Sequence, residues 1–154
     1  MLIDAFLIGE HHSPEASCKP TNIDNFHDTF HATDTGCRVQ DILTAYAFLA
    51  ARYDMTGIID LVGIDQAGVW CLLAGAVEPG FRQITVDMNQ FDSSRDESWE
   101  EIYYVPGIRA LGDIPAAVAA GGVERFSLYN TPESEELEAL GVNATPAELI
   151  PDLP

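Results

Sequence analysis

Along the chain the apolar positions fall into short runs and one long helical stripe, separated by stretches dense in Gly, Pro, Asn and Asp. Leu2-Ile3-Asp4-Ala5-Phe6-Leu7-Ile8, closed by Gly9, is an apolar run of the length of a buried strand. Residues 10–36 follow without a sustained period and contain Pro14, Pro20, Asn22 and Asn25, which predicts a long loop. Val39, Ile42, Leu43, Tyr46, Leu49, Ala50 and Tyr53 then recur three or four positions apart, the spacing of an amphipathic helix, with Asp34 or Thr35 available as its cap.

The second half alternates. Residues 57–64 read as a β-branched strand, 67–77 as a helix rich in small residues and stopped by Pro79-Gly80, and 81–88 as another strand. The acidic span 92–101 reads as loop, 105–120 as one or two helices broken by Pro106, Gly112 and Pro115, and 125–129 as a last strand. A short helix closes at Leu137 to Leu140, and Pro146, Pro151 and Pro154 mark 141–154 as an extended tail. Strands alternating with helices predict a single α/β domain over 1–154, a three-layer parallel sheet with helices on both faces. In such sheets the working groups collect at the carboxyl ends of the strands, which directs attention to 10–13, 65–68, 87–92 and 130–133.

Charge narrows the partners. The 154 residues carry 25 acidic side chains against 7 Lys and Arg, Lys19 being the single lysine, for a formal charge of −18. Nucleic acid and anionic membrane surfaces need cations that this chain lacks, so neither is an expected partner. Self-repulsion at this charge density is relieved by salt, which suits a saline habitat. Cys18, Cys37 and Cys71 have no metal-binding spacing and are expected as free thiols. No apolar run reaches the ~20 residues of a membrane span, and Asp4 and Glu10 interrupt the first one, so a cytoplasmic location is expected.

The chemistry concentrates where the strand at 57–64 meets the helix at 67. In Gly63-Ile64-Asp65-Gln66-Ala67-Gly68 small residues flank a central Asp65 and permit a sharp turn that lifts its side chain above the sheet, with the N–H groups of Gln66 and Ala67 behind it. Two readings of Asp65 stand side by side: a reactive carboxylate on a nucleophile elbow, or a helix N-cap that satisfies free N–H groups in any protein.

The segment Leu61-Val62-Gly63-Ile64-Asp65-Gln66-Ala67-Gly68-Val69-Trp70, with Val39 to Ala45 before it and Val105-Pro106-Gly107 and Phe126 to Thr131 after it, resembles the α/β-hydrolases related to bacterial acetyl xylan esterases. The resemblance runs from Leu2 to Thr131 and implies a reduced hydrolase fold acting on small carboxylic esters without a cofactor. It departs from the family at the nucleophile, where Asp65 stands for the usual serine, and at both ends, where strands and the catalytic histidine are missing. All four histidines precede the elbow, so the implied base is His27 or His31 from the long loop, with His11 and His12 near a bound substrate. Asp87 and Asp92 follow the next strand, where a triad acid would stand, and turn chemistry explains them equally well. Trp70 is too far past Asp65 for the dehalogenase pattern, in which tryptophan follows the aspartate directly.

The missing strand implies an exposed parallel edge and so a homodimer or larger assembly, with Trp99, Tyr103 and Tyr104 as candidate subunit contacts. Two further readings remain: a non-catalytic remnant that keeps the fold for binding or assembly, and a metal-dependent hydrolase using His27 and His31 at helical i, i+4 spacing. The latter is weak because polar loops gather such residues freely, and no metal site is expected.

Overall fold

In a computed structural model the chain is described over residues 1–11, 32–53 and 58–149. Its centre is a four-stranded, all-parallel sheet in chain order: β1 (Ile59–Gly63), β2 (Phe81–Asp87), β3 (Phe126–Tyr129) and the two-residue β4 (Asn143–Ala144). The α/β class read from the sequence is present. Helix α1 spans Asp34–Tyr53 and α2 Ala67–Val77. A short α3 (Asp96–Ser98) runs into a π turn at Trp99–Tyr103, and α4 (Ile108–Leu111), α5 (Asp113–Gly121) and α6 (Glu135–Leu140) complete the set.

Strand order decides the layering. When each strand is added beside its predecessor and each crossover is right-handed, every connecting helix falls on the same face. Helix α2 accordingly packs on β1 and β2, and both α1 and α5 pack on α2. Leu61, Ile84 and Phe126 share one row beneath these helices, and Gly63, Val86 and Leu128 the next; Ile84, Val86 and Leu128 are fully buried there. The opposite face presents Asp60, Val62 and Arg82 to solvent, with Gln83, Thr85, Ser127 and Tyr129 half-buried. Among the described residues the fold thus has two layers, not the three expected, because no crossover reverses direction.

Three other expectations are corrected. Leu2 to Ile8 is not a strand: Leu2 is exposed, Leu7 and Gly9 have left-handed φ of 57°, and the Ile8 N–H closes a turn onto the Ala5 carbonyl at 3.0 Å. Its backbone is satisfied by α1 instead of a ladder, since the Phe6 N–H donates to Asp41 Oδ2 at 2.8 Å and Arg38 Nε donates to the Phe6 carbonyl at 3.1 Å. The cap of α1 is Thr33, one residue before the two expected, whose Oγ1 accepts from the Gly36 N–H at 3.1 Å. The span 92–101 winds into helix from Asp96, because Trp99 has a core to enter.

That core corrects the aromatic assignment as well. Trp99 and Tyr103 are each 3% exposed and cannot be subunit contacts. They stack edge-on with Phe91, at ring separations of 4.9 and 4.8 Å, and Tyr103 reaches Trp70 at 6.3 Å. Such edge-to-face contacts add ~1 kcal/mol apiece beyond area burial. The cluster plugs the space between α2 and the loop that leaves β2.

Arg125 does the equivalent task at the other end of the sheet. Its guanidinium donates to the carbonyls of Phe81 at 3.0 Å, Gly75 at 3.1 Å, Glu78 at 3.2 Å and Gly121, so the ends of α2 and α5 and the start of β2 share one cation. No helix among the described residues is long and apolar enough to cross a membrane.

Candidate active site

The strand-to-helix turn after β1 is as sharp as its small residues allow. Asp65 adopts a left-handed φ of 56°, a conformation that non-glycine residues seldom take and that clusters at functional turns. Tight packing on both sides holds it there. A Cβ on Gly63 would lie 2.6 Å from the Ala67 carbonyl oxygen and 2.8 Å from Cys71 Cβ. One on Gly68 would lie 1.8 Å from the Asp87 carbonyl oxygen, so the start of α2 rests directly on the end of β2.

Asp65 is exposed and does not cap α2. The capping position is Gln66, with no side-chain cap bond, and the turn closes through backbone: Ala67 N–H to the Ile64 carbonyl at 3.2 Å and Gly68 N–H to the Asp65 carbonyl at 2.9 Å. The Ala67 N–H is thereby occupied. Against the Gln66 N–H no acceptor stands among the described residues, which leaves it the donor at the head of the helix.

The Asp65 carboxylate instead joins a network along the carboxyl ends of three strands. Asn89 Nδ2 donates to Asp65 Oδ1 at 2.6 Å, and the Asn89 backbone N–H donates to Asp87 Oδ1 at 2.8 Å. Asn130 Nδ2 donates to the same Asp87 oxygen at 3.0 Å, Gln90 Nε2 donates to Asn130 Oδ1 at 2.7 Å, and the Leu149 N–H donates to Asp87 Oδ2 at 3.3 Å. Asn89, Gln90 and Asn130 all have left-handed φ, of 48°, 55° and 49°. Asn tolerates that region because its short amide bonds locally. Asp87 is 6% exposed and is satisfied by three donors, a structural anchor from which the two amides are hung.

The remaining expected site residues fall elsewhere. Asp92 bonds within its own turn, Oδ1 accepting from the Ser94 N–H at 3.0 Å and Ser94 Oγ at 2.6 Å, and these bonds hold its carboxyl below the usual range. It lines a cleft of about 560 Å³ with Met88, Phe91, Arg109, Asp113 and Leu137, a lining that does not include Asp65. His12, His27 and His31 lie outside the described residues, as does the side chain of His11. Among the described residues no three His, Cys, Asp or Glu side chains gather as metal ligands.

Two side chains behind the turn are set by burial. The Cys71 thiol, under Gly63, is pushed up to about 12, and the Tyr103 hydroxyl is raised by burial and by the negative charge of Asp65. Cys71 is therefore no nucleophile at neutral pH. The windows 87–92 and 130–133 marked out in the sequence contain Asn89, Gln90 and Asn130, but none of the three stood out individually; the signal available was three amide residues within the windows that follow two parallel strands.

Family models, curated proteins and solved structures were each compared with this chain, and none matched.

Proposed function

We propose that the protein hydrolyses small carboxylic esters at Asp65. The observation that carries the reading is the left-handed φ of 56° at Asp65, on a strand–turn–helix whose flanking glycines admit no side chain. Backbone strain of ~1–3 kcal/mol is kept where the surroundings over-determine it, and it is characteristic of turns that present a reactive group.

The reading takes a water route. With Oδ1 held by Asn89, Oδ2 of Asp65 takes a proton from a water molecule, whose oxygen attacks the ester carbonyl carbon. The Gln66 N–H, at the positive end of α2, donates to the oxyanion that forms. Collapse of the tetrahedral intermediate expels the alkoxide, which recovers the proton from Asp65 and leaves as the alcohol. Saturable hydrolysis of a short-chain aryl ester that Asp65→Asn removes supports this assignment. Turnover unchanged in that variant excludes it.

A second reading, a non-catalytic α/β fold kept for binding or assembly, is favoured by one observation. The large cleft lies beside Asp92 and Arg109, and Asp65 is not in its wall. Wild-type protein that turns over no ester would leave this reading in possession.

A further inference from the structure

The segment that supplies Tyr103 is held by more than a helix needs. Trp99–Tyr103 winds as a π turn, closed by the Tyr104 N–H on the Trp99 carbonyl at 2.5 Å, and Tyr104 follows with a left-handed φ of 31°. Turns of this kind are rare and recur at functional sites. The Tyr103 carbonyl accepts from Thr35 Oγ1, and its ring is boxed by Phe91 at 4.8 Å and by Trp70 and Trp99 at 6.3 Å each. Two of those rings belong to the turns of the candidate site: Trp70 stands in the opening turn of α2, and Phe91 lies just past Asn89, whose amide holds Asp65.

The ring is packed, but its hydroxyl is not paired. Tyr103 is 3% exposed, yet no hydrogen-bond partner stands against the hydroxyl among the described residues. Buried side-chain atoms that are both sealed from solvent and without a partner are, among those residues, Trp70 Nε1 and Asp113 Oδ1. The Tyr103 hydroxyl is therefore unpartnered and still reached from outside, a donor at the tip of a fixed ring, where buried hydroxyls ordinarily find a partner. The charged group that acts on it is Asp65, and that charge together with burial keeps it protonated.

The elbow has a place for such a donor. An oxyanion is commonly met by two N–H groups, but the Ala67 N–H is occupied by the Ile64 carbonyl, which leaves the Gln66 N–H by itself. We propose that Tyr103 is the second oxyanion donor of the Asp65 site, its hydroxyl donating to the carbonyl oxygen of the attacked ester beside the Gln66 N–H. The assignment rests on ester hydrolysis at Asp65. No proton leaves Tyr103: as Asp65 takes the proton of the attacking water, negative charge passes from its carboxylate to the carbonyl oxygen, and the hydroxyl bonds to that oxygen. No hydrogen bond joins Tyr103 to Asp65 beforehand, so the new bond belongs to the transition state and raises kcat rather than tightening substrate binding.

The test is steady-state kinetics of a short-chain aryl ester with the full chain, Tyr103→Phe and Asp65→Asn, with urea unfolding of each. Tyr103→Phe keeps the ring and its three aromatic neighbours and removes the hydroxyl alone. The expected result is a fall in kcat of about 10²-fold or more with KM little changed, and a denaturation midpoint no lower than wild type, because no bond in the folded chain is lost. Wild-type kcat in Tyr103→Phe, with turnover lost in Asp65→Asn, overturns the assignment of Tyr103 and leaves the Asp65 reading standing. A raised KM at unchanged kcat overturns it too, since the hydroxyl would then bind substrate and transition state alike. Turnover that survives Asp65→Asn, or is absent from the wild type, overturns the reading at Asp65 and the role of Tyr103 with it.

Discussion

The side-chain amide of Asn89 donates to Asp65 Oδ1 at 2.6 Å, joining the turn after β2 to the turn after β1. One carboxylate oxygen is thereby fixed, and the proposed mechanism uses the other. The bond also places the candidate reactive group and the buried Asp87 in one network, since Asn89 serves both through different atoms.

Replacing Asn89 by Gly tests that bond without disturbing the backbone, because Gly accepts the φ of 48° without strain. The pair is exposed, so the free energy of unfolding is expected to change by no more than about 1 kcal/mol. Ester turnover is expected to fall in kcat with little change in KM, since positioning of the carboxylate is what is lost. Urea unfolding and steady-state kinetics on the same preparation separate the two effects.

Gly68→Ala sets a methyl group into the Asp87 carbonyl, where a Cβ would stand at 1.8 Å. The helix start must lift off β2, at an expected cost of about 1–3 kcal/mol for overpacking. The midpoint of chemical denaturation reads the loss. Gly107→Ala is the comparison: its φ of 79° is strained for alanine, yet nothing lies within 4 Å of its Cβ, so backbone strain alone is measured there.

Arg125→Met keeps most of the side-chain volume and removes every donor. The carbonyls of Gly75, Glu78, Phe81 and Gly121 then lose a shared cation, and a loss of about 2–3 kcal/mol is expected, detectable by calorimetry.

Stability is also expected to fall as the solution is made alkaline. The Cys71 thiol ionises from its ordinary value of 9.0 in the unfolded chain but only near 12 when buried. Between those values the unfolded state holds fewer protons than the folded one, so unfolding free energy drops as pH rises and is retained below pH 9. Tyr103, raised by burial, acts in the same direction. Denaturation midpoints measured from neutral pH upward should decline, and Cys71→Ala should flatten part of that slope.

How far the chain could be read in advance depended on whether local pattern or tertiary context decided the outcome. Helix α2 matches its expected bounds at both ends, since Pro79-Gly80 stops it and the Gly63 to Gly68 turn starts it. The strands at 59–63 and 81–87 follow from β-branched runs that have a helix to cover them. Leu2 to Ile8 is as apolar but pairs with no strand among the described residues, and Asp41 and Arg38 claim its backbone. Burial of Trp99 and Tyr103 depends on Phe91 arriving from the β2 loop, a contact that flanking acidic residues conceal. At the site, the glycines exposed the turn and Asp65, whereas the amide row did not stand out because Asn and Gln after strands are ordinary turn residues until their φ values and partners are seen.

The measurement that bears most directly on the central claim is kcat/KM for a short-chain aryl ester with wild-type protein, Asp65→Asn and Asp65→Ala, each confirmed as folded. Loss of a positioned general base predicts a fall of about 10²–10⁴-fold in both variants. Equal turnover in all three, or none above buffer in the wild type across a series of acyl chain lengths, would contradict the assignment of Asp65 as the reactive group.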